Sequence, residues 1–358
     1  MSRRHGIDDF TDNEKRVFHA LLANPDYTDG KIGKTLGLAQ STVTTIKNRL
    51  REMGVYRDLW VPMFNWLGCE MLVAIYTNFN PVISVEERAK KTTRTIEVSD
   101  EIFFSIGETQ KGLSLSVARR YTDIGRINDA RTETFAAMDL LEKDYPLEMV
   151  FPFELSTVHR FFNYAPLFEK TFGVGEGWGK HREINFPPPP DGFSLEPTDK
   201  KILMQMIKKP LATESEIARI TGLSRHTVSS HRKKLVSLGV IKKHRIPDLR
   251  LLGQGLFVLH HMRFNPKNPP DIGLRGELNA ILSPYTIFMV ARKFEMLSIC
   301  VYPDYGEYRK DKNHMLNYLH RTDHIIEAPV SRVFVIDNSI IMKDMVFGNM
   351  VEKLLFPV

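Results

Sequence analysis

The sequence predicts an α+β protein of two tandem units, each a three-helix module followed by a βαββαβ sheet domain. Three observations predict it. The chain repeats itself: Gly54 and Gly239 stand 185 residues apart, as do Leu67-Gly68 and Leu252-Gly253, and Phe79 and Phe264, which open two FNP triplets. Inside each repeat the apolar spacing first follows a helix and then changes to that of strands. Between the repeats lies GVGEGWGKHREINFPPPPDGFSLEP, residues 173 to 197, a stretch that reads as a linker whose prolines keep it extended.

Composition limits the function classes. A chain of 358 residues holds two or more cores, and 42% apolar with 26% charged residues suits an ordinary soluble protein without a membrane span. The start, MSRRHGIDDF, lacks the apolar run of a secretory signal. Cys69 and Cys300 are too few for a disulfide framework or a zinc site, so a cytoplasmic protein without metal or cofactor is expected. The net charge of +6 permits an acidic partner.

The helical modules come first in each half. Thr11 to Ala23 opens on a Thr-x-x-Glu capping box, Thr11 with Glu14, and puts Val17, Leu21 and Leu22 on one face. Its counterpart from Thr198 keeps the apolar spacing without that glutamate. A short helix around Ile32 to Leu36 (Ile217 to Thr221) leads to a turn at Gly37 (Gly222), and a longer helix ends at Gly54 (Gly239). A pair of short strands, a wing, should follow each module.

The sheet domains come next. CEMLVAIYT, EIFFSIG, LSLSVARR and EMVFPFEL read as strands, with helices over SVEERAKKTTRTI and residues 122 to 142. The second half offers GLFVLHHMR, YTIFMVA, MLSICVY and SRVFVI, with helices near 271 to 281 and 305 to 319. This order is the ferredoxin-like arrangement. Each half closes on an extra helix, within RFFNYAPLFEKTF and IMKDMVFGNMVEKLL. The expected boundaries are 1–60 and 197–247 for the helical modules, 61–172 and 248–358 for the sheet domains, and 173–196 for the linker.

The stretch TGLSRHTVSSHRKKLVSLGVIKKHR carries the chemistry. Ile217, Ile220, Leu223, Val228 and Leu235 fall where two helices lock together, with Gly222 at the turn and Ser224 as N-cap. Arg225, His226, Thr227, Ser229, Ser230, Arg232 and Lys233 are then left outside, residue types that reach base edges and phosphates from a helix in the major groove. Lys242, Lys243 and Arg245 follow on the expected wing. Residues 198 to 245 hold twelve Lys or Arg against three Asp or Glu, so this module should carry most of the attraction to phosphate. Residues 1 to 60 hold ten against eight, and offer Gln40, Ser41, Thr42, Thr44, Thr45, Lys47, Asn48, Arg51 and Arg57 as a more neutral reading face.

With these residues in place, the chain resembles the Lrp/AsnC family of transcription regulators. The carriers are TDNEKRVFHALLANP, LGLAQSTVTTIKNRLREMGV and WLGCEMLVAIYTNFNP, then TDKKILMQMI, TGLSRHTVSSHRKKLVSLGVIKK and LLGQGLFVLHHMRFNP. The resemblance implies two winged helix-turn-helix heads on double-stranded DNA, nucleoid association, and ferredoxin-like domains that pair within the chain or in a homodimer. It also implies a small-molecule effector. The family's Gly-x-x-Asp turn is not kept: Gly107 to Gln110 and Ala291 to Phe294 stand there, without aspartate at the fourth place.

A second resemblance is to siroheme decarboxylases, which share this architecture and hold a tetrapyrrole through His and Arg residues. His260, His261, His159, Arg160, Arg119 and Arg120 are the candidates here. Neighbours on a strand point to opposite faces, so His260 and His261 cannot line one cleft. The basic helix-turn-helix makes a DNA-binding regulator without catalytic residues the leading expectation.

Overall fold

The computed structural model describes residues 10–142, 145–175, 183–271, 277 and 280–356. It divides into two compact units that interleave along the sequence: residues 1–59, 156–185 and 243–337 make the first, and 60–155, 186–242 and 338–358 the second. No helix among the described residues is long and apolar enough to cross a membrane.

The first unit begins with α1 (Asp12–Ala23), α2 (Asp29–Leu36) and α3 (Gln40–Glu52), followed by β1 (Tyr56–Pro62), which runs on into the second unit. Thr11 caps α1 in the expected box: its hydroxyl accepts from the Glu14 amide while the Glu14 carboxylate accepts from the Thr11 amide. The second unit continues with β2 (Met71–Asn78), α4 (Val85–Val98), β3 (Ile102–Glu108), β4 (Lys111–Ala118), α5 (Tyr121–Ala137) and β5 (Leu147–Pro152). These strands pair antiparallel in the order β3-β4-β2-β5, the ferredoxin-like order, with the apolar residues Met71, Val73 and Ile75 packed against Ile124 of α5.

Next along the chain come β6 (Ser156–Arg160) and α6 (Ala165–Phe172), which belong to the first unit. Of the aromatic stretch expected as a closing helix, only Ala165–Phe172 is helical; Arg160 ends β6, and residues 161–164 turn between the two. The change is enforced at Phe162, which adopts φ 49, and at Pro166, which starts α6. Phe168 of α6 meets Phe18 of α1 edge to face at 5.3 Å.

The second head is α7 (Pro197–Lys208), α8 (Glu214–Thr221) and α9 (Arg225–Leu238), followed by β7 (Ile241–Pro247). Helix α7 starts earlier than its sequence suggests, because Glu196 serves as N-cap, Pro197 fits the first turn, and Asp199 closes the capping box. The linker before it is strapped down: Asn65 and Trp66 donate to the Pro187 carbonyl at 2.6 and 2.8 Å, and Phe186 stacks on Phe64.

The second sheet is built from β8 (Leu256–Arg263), β9 (Thr286–Arg292), β10 (Glu295–Tyr302), α10 (Tyr305–Arg321) and β11 (Val330–Val335), all in the first unit. Its order β11-β8-β10-β9 is again ferredoxin-like, and β6 joins it at the β9 edge. The helix expected near 271 to 281 lies mostly outside the described residues. The chain ends with β12 (Ile340–Asp344) and α11 (Gly348–Leu355) in the second unit, where β12 pairs with β3. A fifth strand thus covers one edge of each sheet, removing an unpaired row of backbone groups.

The expected wings are not separate hairpins. Strands β1 and β7 pair with each other in a two-stranded sheet.

Candidate nucleic-acid interface

The second head is organised by short polar caps at both ends of its turn. Thr213 and Glu216 form a capping box at the start of α8, and Gly222 ends that helix at φ +70, a left-handed conformation that suits glycine. The Ser224 hydroxyl then accepts from the Thr227 amide at 3.0 Å and starts α9. Ile217, Val228 and Leu235 are fully buried and fix α8 against α9, whereas Ile220, expected inside, is 39% exposed.

This packing decides which basic residues of α9 reach solvent. Arg225, His226, Ser230 and Lys233 are exposed, with Thr227, Ser229 and Arg232 half-buried beside them. Lys234 turns inward instead, donating to Glu196 at 2.7 Å and Asp199 at 2.9 Å, while His231 Nδ1 lies 2.7 Å from Asp199. The Arg232 guanidinium sits over the Trp60 ring at 5.6 Å, which holds its stem down. Glu196, Asp199 and His231 also have the spacing of a cation site, but the Lys234 ammonium already supplies their positive charge.

The first head presents a different surface. Gln40, Ser41, Thr42, Thr45 and Asn48 are exposed along α3. Thr44 and Lys47, by contrast, both turn back to the Asp29 carboxylate, at 2.7 and 2.6 Å. Burial pushes the Asp29 carboxyl up, yet these two partners outweigh it and hold it below its ordinary range. Arg51 pairs with Asp58 at 3.0 Å and Arg49 with Glu14 at 2.7 Å. The near-neutrality of this head is thus built from carboxylates that take up its cations.

Four expected contacts lie on the strands β1 and β7. Arg245 is 3% exposed, donates from Nε to Asp58 at 2.9 Å and from Nη1 to the Leu21 carbonyl at 2.5 Å, and lies by the Tyr56 ring. It cannot reach a phosphate, and its assignment as a DNA contact is corrected: pairing of β1 with β7 turns this side chain into the core. Lys243 is half-buried and 3.6 Å from the same carboxylate, so it too is directed inward, while Lys242 is half-buried and Arg57 exposed.

Most of the tetrapyrrole candidates are engaged in the fold, whereas Nε2 of His159 and of His260 has no hydrogen-bond partner among the described residues. His260 is buried, bonded to Ser331 at 2.9 Å, and pushed down to about 3 by burial, with Lys312 adding to the shift. His261 lies 2.8 Å from Glu295, on the other face of β8. Burial takes His159 down to about 4. Arg160 pairs with Glu183 and donates to the Ser283 and Thr286 carbonyls, and Arg119 donates to the Lys353 and Leu354 carbonyls at the end of α11. Arg120 meets Asp123 through its backbone at the start of α5.

Sequence reasoning missed Asp29, Asp58 and Asp199, each an acidic residue that cancels a nearby cation. Their signal is present only as isolated acids, and pairing partners far along the chain give them their role.

Comparison with known proteins places these features. No curated protein matches the chain. Over 96% of its length the fold is similar to the crystal structure of the siroheme decarboxylase NirDL, at a TM-score of 0.50 and 10% identity, covering 98% of that chain. Shorter matches include E. coli AsnC (14% identity, TM-score 0.30, 40% of this chain and 92% of that one). Another is the transcriptional regulator NMB0573 in complex with L-Met from Neisseria meningitidis (14% identity, TM-score 0.31, 40% of this chain and 89% of that one). The expectation that the chain is not an enzyme is corrected, because a protein whose fold is similar over 96% of this chain is the siroheme decarboxylase NirDL. Residues 195–242 match the winged helix-turn-helix DNA-binding family, the segment that carries α7, α8 and the exposed basic face of α9.

Proposed function

We propose that the chain is a sequence-specific, double-stranded-DNA-binding transcription regulator of Lrp/AsnC type, descended from a tandem duplication and acting at the nucleoid. One observation carries this reading: α9 sends Arg225, His226, Ser230 and Lys233 outward from a helix-turn-helix while its surplus cation Lys234 is paired inward. A helix so arranged offers bidentate and point-charge donors to base edges and phosphates. The first head, through Gln40, Ser41, Thr42, Thr45 and Asn48, adds selectivity with little phosphate attraction. Self-association through the ferredoxin-like domains belongs to the same proposal.

The test is binding of the purified chain to duplex from its own upstream region and to random duplex, followed by fluorescence anisotropy at two salt concentrations. Tight, selective and salt-sensitive binding is the expected result. Absence of binding to either duplex contradicts the reading.

The full-length similarity to NirDL supports a second reading, a tetrapyrrole decarboxylase on the same scaffold. Titration with siroheme, read by absorbance, separates the two: saturable uptake and loss of carboxylate groups support the enzyme, and an unchanged spectrum removes it.

A further inference from the structure

We propose that the Arg131 guanidinium, with the hydroxyls of Ser114 and Ser116, forms a buried receptor for a small monoanion of the short-chain carboxylate type.

Arg131 lies on α5 and is 4% exposed. Its Nη2 reaches the Ser114 hydroxyl at 3.4 Å and the Phe135 ring covers its carbon at 5.5 Å. Among the described residues its Nε and Nη1 have no partner, and the hydroxyl of Ser116, two residues along the same face of β4, has none either. Ser114 in turn shares a hydrogen bond with Ser105 across the β3–β4 pair. An ionised group buried without a counter-charge costs several kcal/mol, so a fold keeps one where something compensates it.

The second sheet domain shows that the fold does not need a cation here. Helices α5 and α10 are both 17 residues long, and each is followed two residues later by an aspartate at positive φ, Asp139 and Asp323. Arg131 is the eleventh residue of α5, and the eleventh residue of α10 is Met315, packed with Met262, Met289 and Met296. In the first sheet Ser114 stands between Ile75 and Ser105; in the second, Ser298 stands between His260 and Met289. Ser116 has Cys300 as its counterpart. The second copy therefore keeps one hydroxyl, Ser298, but places methionine and thiol where the first has the Arg131 guanidinium and the Ser116 hydroxyl.

The donor set defines the ligand. One fixed positive charge, no second cation paired with it among the described residues, and neutral hydroxyl donors favour a single negative charge over a phosphate dianion. The neighbouring apolar residues Val73, Ile75 and Ile124 suit a short hydrocarbon remainder. This site does not depend on whether the heads bind DNA.

Thermal unfolding of the full chain tests it, with sodium acetate, propionate, butyrate, nitrate and phosphate each compared with chloride at equal ionic strength. A carboxylate that binds the folded chain stabilises it by RT ln(1 + [L]/Kd), so concentrations up to about 10 mM reveal a site of millimolar affinity as a rise in Tm that grows with concentration. The expected result is such a rise with one of the monocarboxylates that is absent in Arg131→Met, a variant that copies the second domain and should be the more stable in chloride. Ser116→Ala should weaken the apparent affinity by about 2- to 10-fold, and it carries the test should the methionine variant not fold. No carboxylate-specific rise, a rise with phosphate alone, or an equal rise in the variants overturns the proposal.

Discussion

Arg245 donates to Asp58 at 2.9 Å with both side chains buried, a pair that joins β7 to β1 where a free wing was expected. Asp58 also meets Arg51 at 3.0 Å and Lys243 at 3.6 Å, so a single carboxylate answers three cations. Burial pushes its carboxyl up, but Arg245, Lys243 and Arg51 outweigh that effect and hold it below its ordinary value. Removing the carboxylate leaves the buried Arg245 without a counter-charge. Asp58→Asn should cost about 3–5 kcal/mol in denaturant unfolding. Because the folded carboxyl is the more acidic, the stability it adds is present above the unfolded value of about 3.9 and lost as pH falls through the lower folded value. A cost below about 1 kcal/mol, the size of an exposed pair, would remove this node from the account.

Three imidazoles set a second acid sensitivity at higher pH. Burial lowers His159 to about 4, His244 to about 4 and His260 to about 3, and His244 Nε2 donates to the Phe162 carbonyl, which fixes its neutral tautomer. In the unfolded chain each titrates near 6.5, so below that pH the unfolded state binds more protons. Stability is then full above about 6.5 and falls as pH drops toward 4. Unfolding followed between pH 8 and 4 should show a plateau and then a decline, with uptake approaching about three protons. A flat profile down to pH 4 contradicts it.

The two helix-turn-helix turns should respond differently to side-chain size. A Cβ on Gly33 would stand 2.6 Å from the Leu38 carbonyl, at the point where the Leu38 amide donates to the Gly33 carbonyl. In the second head Ala218 holds the same place, accepting from the Leu223 amide at the longer distance of 3.2 Å. Gly33→Ala should destabilise by about 1–3 kcal/mol through overpacking. Ala218→Gly should cost about 1 kcal/mol through helix propensity alone. Chemical denaturation of both variants measures the contrast, and a stabilising Gly33→Ala would show that the turn relaxes freely.

Much of the fold was legible because it is local. The capping box at Thr11, the turn glycines Gly37 and Gly222, and the short runs rich in apolar residues of β2, β4 and β10 are written in adjacent residues. What the sequence hides is partner choice between distant segments. Ser156–Arg160 and Ile340–Asp344 carry no signal that they will join β9 and β3, since an edge strand of five residues is short and its partner supplies the pairing. Arg245 looks like a phosphate contact until the pairing of β1 with β7 sets which way it points. The face of α9 is legible, because Val228 and Leu235 fix its buried side and leave Arg225 and Lys233 outside. Even there, Lys234 differs from Lys233 only through Glu196 and Asp199, which lie beside it in the fold and not in the sequence.

The central claim is that the exposed cations of α9 hold DNA, and the salt dependence of binding tests it most directly. For the wild-type chain and for Arg225→Ala and Lys233→Ala, the slope of log Kobs against log salt should be measured on specific and random duplex. Each substitution that removes one phosphate contact should lower the slope by about 0.9 and weaken binding to both duplexes. Loss confined to the specific duplex at Arg225 would assign it to a base edge and still uphold the claim. Slopes and affinities unchanged in both variants would contradict it.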